Sequence, residues 1–312
     1  MKYAIISDIH GNYPALKAVL SDAETQGVQT HLFIGDYVED LPYPNEVVDV
    51  IRTLPSAVVV RGNKEDYLEN LIGEDQSTWD SEQFAVIRWS FRELTPQNLK
   101  YLVSLPKEAE IITEHGQKIW LRHSSPVFYR KPRIEAFYSS HYLKKMKVSP
   151  FNHEEYVEYA RSSVLERTDV MTELSGYPKG VHAFGHNHLQ WHMQMGGVCY
   201  VNPGSCGIPL DFDTRAPYTI IEDSGNGWTV TERRVPYDVE SAIKALASSE
   251  LYKQAEIWSQ IMIAQLRIGG DYISHYLRHV NVLAAEHGCP TNPVSNEMWR
   301  LGALTFDMLD LI

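Results

Sequence analysis

With 312 residues the chain can form one large domain, or a domain of about 240 residues with an appendage, and 44% hydrophobic against 22% charged residues excludes a disordered or fibrous protein. Forty acidic against 28 basic side chains give a net charge of −12, which excludes general nucleic-acid binding through the surface as a whole, since phosphate backbones are held by clustered Lys and Arg. Cys199, Cys206 and Cys289 are too few and too scattered for a disulfide framework or a CxxC zinc site, the N-terminal apolar run stops at Asp8, and nothing approaches the roughly 20 apolar residues of a membrane span, so a cytoplasmic protein away from membranes is expected.

Short apolar runs alternate with helical patterns through the first third. Tyr3 to Ser7 reads as a strand, Pro14 to Glu24 as a helix, Leu32 to Ile34 as a strand, Pro44 to Leu54 as a helix and Ala57 to Val60 as a strand. Ile5-Ile6 and Val58-Val59-Val60 show no polar alternation, which predicts strands covered on both faces of an α/β layered sheet. From about Ala109 the pattern changes to hairpins. Glu110 to Glu114 and Lys118 to Arg122 flank His115-Gly116-Gln117, Gln190 to Gln194 and Val198 to Val201 flank Gly196-Gly197, and Tyr218 to Glu222 and Trp228 to Glu232 are joined across Ser224 to Gly227. A second, largely antiparallel sheet is implied. A mostly helical insert occupies about 128 to 178.

The β pattern stops after Pro236, which sets a domain of residues 1–238 and a helical extension of residues 239–312. In the extension Ile257, Ile261, Ala264 and Ile268 repeat at helical spacing up to Gly269-Gly270, and Ile273, Tyr276, Leu277 and Val280 continue on a new helix. These stripes are expected to cover the core or to build a homo-oligomer interface.

Five motifs fall where strands end, the position at which layered α/β folds bind ligands. They are Asp8-Ile9-His10-Gly11-Asn12, Gly35-Asp36, Gly62-Asn63-Lys64-Glu65, His123 and Gly185-His186-Asn187-His188. Together they offer two Asp, one Asn and four His, more donors than one ion needs. The mixture suits Mn, Fe, Zn or Ni rather than an all-oxygen magnesium site, and two divalent transition-metal ions are the simplest arithmetic.

Read in this order, and followed by Asn202-Pro203-Gly204-Ser205, the motifs closely resemble the calcineurin-like metallophosphoesterases, in particular their small prokaryotic phosphodiesterase branch, over roughly residues 1–237. The resemblance implies a four-layer α-β-β-α sandwich of two mixed sheets with the metals where the sheets meet. It implies that Asp8, His10 and His188 hold a first ion, that Asn63, His123 and His186 hold a second, and that Asp36 bridges them. Hydrolysis of a phosphate ester by water activated between the ions then requires no protein nucleophile. Asn12 would support the site or touch the phosphate.

Two positions depart from the family pattern. Lys64 stands where many relatives carry a His able to protonate the leaving oxygen; it is expected to pair with Glu65 or to contact the phosphate as a point charge. Ser124 stands where a Gly is common and would narrow the pocket beside the second ion. Asp211, Asp213 and Arg215 read first as a turn with an ion pair and second as supplying Arg215 to the substrate. His31, His115, His141, His153, His182, His192, His275, His279 and His287 belong to no motif and are expected to be structural or exposed. Arg130, Lys131, Arg133, Lys144, Lys145 and Lys147 make the insert basic, either as a solvated face or as a lid that draws in an anion.

Three functions fit these residues. The first is a phosphodiesterase or broad phosphoesterase acting on a small or nucleotide-like substrate. The second is a nucleotidase or dinucleoside polyphosphate hydrolase, and the third is an interaction module without turnover, as in retromer's metallophosphoesterase-like subunit.

Overall fold

The apolar runs of the first third become three parallel strands joined by two helices: β1 (Lys2–Ile6), α1 (Tyr13–Thr25), β2 (Thr30–Ile34), α2 (Pro44–Thr53) and β3 (Ala57–Val60). The computed structural model describes residues 1–129, 134–137 and 152–306. Asn12 caps α1 through its side chain, and Pro44 sits in the first turn of α2, where a missing N–H costs nothing. Along β1 the side chains alternate between two apolar clusters, Tyr3 and Ile5 on one face and Ala4 and Ile6 on the other. Both faces are dry, as the unalternating sequence implies.

The remaining strands are β4 (Glu108–Ile112), β5 (Lys118–Arg122), β6 (Gly180–Ala183), β7 (Gln190–Met195), β8 (Val198–Pro203), β9 (Ala216–Asp223) and β10 (Trp228–Val235). They complete two five-stranded sheets, ordered β10-β9-β1-β2-β3 and β4-β5-β6-β8-β7. The three hairpins form, but they do not share one antiparallel sheet. The third returns to the first sheet, where β9 runs antiparallel to β1. The second sheet is mixed, because β6 lies parallel to both β5 and β8. With four residues, β6 is too short for a periodicity to announce it.

Between the sheets Ile5, Leu32, Ile34 and Val60 meet Ile119, Leu121, Val181 and Val201. The outer face of the first sheet, with Ala4, Ile6 and Phe33, packs on α1, α2, α3 (Asn63–Asn70), α4 (Ala85–Glu93) and α5 (Pro96–Ser104). The outer face of the second, with Trp191, Met193 and Tyr200, packs on Tyr156, Ala160 and Val164 of α6 (His153–Leu165) and on Val170 and Leu174 of α7 (Thr168–Leu174). The result is an α-β-β-α sandwich. The basic residues Arg130, Lys131, Arg133, Lys144, Lys145 and Lys147 lie outside the described residues.

Asp238 caps α8 (Val239–Ala247), which is followed by α9 (Glu250–Gln254), α10 (Glu256–Ile268), α11 (Tyr272–Glu286) and α12 (Asn296–Thr305). Gly269 ends α10 in the left-handed conformation that glycine adopts without strain. Ala242, Leu246, Met262 and Leu266 pack against Leu41, Val86, Trp89 and Ile208, so the extension covers the core beside the strand-end loops. Among the described residues no helix is long and apolar enough to cross a membrane.

Candidate metal centre

Each candidate ligand stands just past the end of a strand: Asp8 and His10 after β1, Asp36 after β2, Asn63 after β3, His123 after β5, and His186 and His188 after β6. Five of them hold the left-handed backbone conformation, with φ of 53° at Asp8, 52° at His10, 57° at Asp36, 75° at His186 and 60° at His188. Each such residue costs on the order of 1 kcal/mol or more and persists only where the surroundings fix it. Here the loop after β1 is hydrogen-bonded to the loop after β2, Asp8 N–H to Gly35 O at 3.0 Å, His10 N–H to Asp36 O at 3.0 Å and Gly11 N–H to Tyr37 O at 2.9 Å. Glu65 ties in the third loop. Its carboxylate accepts the N–H groups of Asp36, Tyr37 and Gly62 at 3.0, 2.9 and 2.8 Å.

The donor atoms converge in two overlapping groups, Asp8, His10 and His188, and Asp8, Asp36 and His123, the atoms of each lying within 4.8 Å of one another. Asn63 Oδ1 lies 3.0 Å from His123 Nε2 and 2.9 Å from His186 Nδ1. Donors bound to one ion at about 2.1 Å sit roughly 3.0 to 3.4 Å apart, so these spacings suit a shared ion. Asp36 Oδ2, in the second group, lies 3.4 Å from His123 Nε2 and 4.0 Å from His10 Nε2 of the first. Its other oxygen accepts the Lys64 N–H at 2.9 Å.

The far sides of the imidazoles are fixed. His123 Nδ1 meets Ile34 O at 2.9 Å and His188 Nδ1 meets Ile208 O at 3.0 Å, which leaves each Nε2 facing inward. His10 Nδ1 lies 2.7 Å from Asp40 Oδ2, and the other Asp40 oxygen accepts the indole N–H of Trp258 at 2.7 Å. A residue of α10 thus orients the carboxylate that orients a candidate ligand. Asp40 and Trp258 escaped the sequence reading, because 218 positions separate them and neither lies in a motif. Trp258→Phe, which keeps the ring and removes the donor, is expected to weaken metal binding at the Asp8, His10 and His188 group by about tenfold. A metal titration followed by calorimetry reads this directly, and unchanged affinity would contradict it.

The carboxylates of the site would be offset by a bound cation. Asp8, Asp36 and Asp40 are buried together. Burial alone would raise Asp8, but His188 and His123 outweigh it and hold the carboxyl at about 2; Asp36 is likewise lowered, against burial, by His123, His10 and Lys64. Burial and the neighbouring His123 push His186 down to about 4, keeping it neutral as a ligand must be. Asp8 Oδ1 and His10 Nε2 are buried without a hydrogen-bond partner. Carboxylates, imidazoles and an amide carbonyl with orphaned inward-facing atoms fit divalent transition metals.

Of the two roles expected of Lys64, the pairing with Glu65 does not form. Its ammonium pairs with Glu39 at 2.6 Å rather than with Glu65, whose oxygens are committed to backbone N–H groups. Burial would lower Lys64, but Glu39, Asp40 and Asp36 hold it well above its ordinary value. Asn12 is fully buried and donates to Gly207 O at 2.8 Å and to Tyr237 Oη at 3.0 Å, so it braces the loop from behind rather than facing a phosphate. Arg215 is also redirected. Its guanidinium is exposed and engaged by Asp213 at 2.9 Å, and it does not line the cleft. Asp211 pairs with Arg234 and Ser124 is exposed, away from the cleft. Among the histidines outside motifs, His153 and His192 both hydrogen-bond Glu232, at 2.8 and 2.7 Å, and His182 stacks on Trp120, while His141 lies outside the described residues.

Five of the candidate ligands, His10, Asp36, Asn63, His186 and His188, line a cleft of about 280 Å³. Tyr129, Phe137, Ile208 and Leu210 form one part of its wall, and Trp258, Met262 and Leu277 of the C-terminal helices form another. The extension therefore reaches the site, a role its apolar stripes did not disclose.

The fold is shared with solved structures of a metallophosphoesterase from Sphaerobacter thermophilus (24% identity, TM-score 0.60) and a hypothetical protein from Pyrococcus horikoshii (20% identity, TM-score 0.60), each comparison covering 86% of this chain and 99% of the other. An uncharacterized protein of Methanocaldococcus jannaschii is 28% identical over 251 residues, 80% of this chain and 93% of that protein. Residues 1–224 match the model of the calcineurin-like phosphoesterase superfamily domain, and the chain belongs to that superfamily.

Proposed function

We propose that the protein is a phosphodiesterase that works with two divalent transition-metal ions on a small or nucleotide-like ester. The observation that carries the reading is the pair of overlapping donor groups, with Asp36 Oδ2 between His10 and His123 and with Asn63 Oδ1 between His123 and His186. Two such ions would supply an activated water near neutral pH and offset the charge of the phosphoryl oxygens. The residues of the chain do the positioning. Asp36 is anchored through Oδ1 on the Lys64 N–H, which aims Oδ2 inward, and Asn63 adds a ligand without adding negative charge where an anion must bind. Lys64 lines the cleft as a fixed cation.

A diester is favoured over a monoester by the balance of the cleft wall. Lys64 is the one Lys or Arg among the described residues that line it, Glu39 already pairs with that charge, and Ile208, Leu210, Met262 and Leu277 make much of the rest apolar. A singly charged diester with two organic substituents suits such a wall better than a dianion. The test is a set of rates in manganese for p-nitrophenyl phosphate, bis(p-nitrophenyl) phosphate and a dinucleoside tetraphosphate. The diester is expected to be fastest. Preference for the tetraphosphate would assign the chain to anhydride cleavage, and a metal-loaded protein inert to all three would make it an interaction module.

A further inference from the structure

A second cavity, of about 550 Å³, adjoins the metal cleft. Lys64, Trp258 and Leu277 line both spaces, so the two share a wall. The volume lies within the roughly 300 to 1,000 Å³ usual for ligand pockets. The rest of the lining is mixed: Tyr67, Leu71, Phe84 and Ile87 supply apolar and aromatic surface, and Arg88 and Glu74 supply charge.

The link to the metal centre runs through α3. Asn63 begins this helix with its amide oxygen against His123 and His186, and Lys64, Tyr67 and Leu71 follow on one face at the i, i+3 and i+7 spacing. One rigid element therefore presents a candidate ligand to the first cavity and an aromatic ring to the second. Tyr67 is 48% exposed, and the Lys64 ammonium stands 5.9 Å from its centroid. The opposite wall comes from α10 and α11. Their two cavity residues, Trp258 and Leu277, face the metal cleft as well.

We infer that the second cavity is a subsite for a planar aromatic substituent of the ester, which crosses Lys64, Trp258 and Leu277 and lies against Tyr67. The inference rests on the phosphoesterase reading, and it assigns the C-terminal helices to substrate selection. Burying one aromatic ring there tightens binding, in Kd and in KM, by about tenfold or more relative to a methyl group.

The experiment compares methyl p-nitrophenyl phosphate with 2-naphthyl p-nitrophenyl phosphate, which release the same p-nitrophenolate. Calorimetric binding of methylphosphonate and 2-naphthylphosphonate to the manganese-loaded protein is measured alongside, because it needs no turnover. Wild type is expected to prefer the naphthyl compounds by about tenfold in KM and in Kd. Tyr67→Ala, at a half-exposed position that should not disturb folding, and Leu277→Trp, which fills the shared wall, should each cut that preference several-fold. Naphthyl preference in binding that is lost in both variants supports the subsite even if no ester is hydrolysed, a result that would sink only the phosphoesterase reading. Hydrolysis of both esters with equal KM, or a naphthyl preference that survives both substitutions, would overturn the subsite and leave the activity standing.

Discussion

Asp36→Asn is expected to lower turnover by about three orders of magnitude or more at saturating manganese, and His10→Ala by about tenfold less. Asp36 Oδ2 faces donors from both groups, so removing its charge weakens the hold on both ions, whereas His10 belongs to one group. A bound metal contributes several kcal/mol to the transition state, and each 1.36 kcal/mol is a factor of ten. Asparagine keeps an oxygen for the Lys64 N–H, so the loop should hold and circular dichroism should be unchanged. Equal residual rates for the two variants would remove Asp36 from the bridging position. Asp8 would then be the better candidate, since it belongs to both donor groups.

Lys64→His is expected to raise rates on alkyl esters by about tenfold or more while changing nitrophenyl esters little. In the native chain the Lys64 ammonium is held charged by Glu39, with Asp40 and Asp36 nearby, and an ammonium so stabilised is a poor proton donor near neutral pH. The native enzyme should therefore depend steeply on leaving-group pKa. An imidazole ordinarily titrates near about pH 6.5, far closer to neutrality than an ammonium, and general acid catalysis contributes about 10² to 10⁴ where the leaving group needs a proton. The measurement is the ratio of alkyl to nitrophenyl rates in both proteins. An unchanged ratio would mean that proton delivery does not pass through residue 64, and would point to solvent.

The parts of this site that the sequence made legible are local. A strand that is apolar on both faces, followed at once by Asp8-Ile9-His10 or Gly35-Asp36, encodes both the element and the ligand it delivers, and the structure places them together. The parallel strands of the first third and the helices of the extension follow from runs of the same kind. What the sequence concealed depends on pairings between distant segments. The third hairpin shows ordinary turn chemistry, but nothing local says whether β9 will pair with β1 or with β8, and β1 takes it. The sequence offers Glu65 as one of two partners for Lys64, the phosphate being the other, yet Glu65 is consumed by three backbone N–H groups that only the folded loops bring within reach, and the ammonium turns to Glu39. Trp258 stands beside the stripe of Ile257, Ile261, Ala264 and Ile268 and belongs to no motif. Its indole N–H finds Asp40 only because α10 docks over the strand-end loops.

The central claim is that seven residues from five loops hold two ions. Crystals grown in excess manganese, with anomalous scattering recorded alongside elemental analysis of the same protein, test it most directly. The account predicts two manganese ions per chain about 3.5 to 4 Å apart, one among Asp8, His10 and His188, the other among Asn63, His123 and His186, with Asp36 between them. A single ion, or none, under these metal-replete conditions would contradict it.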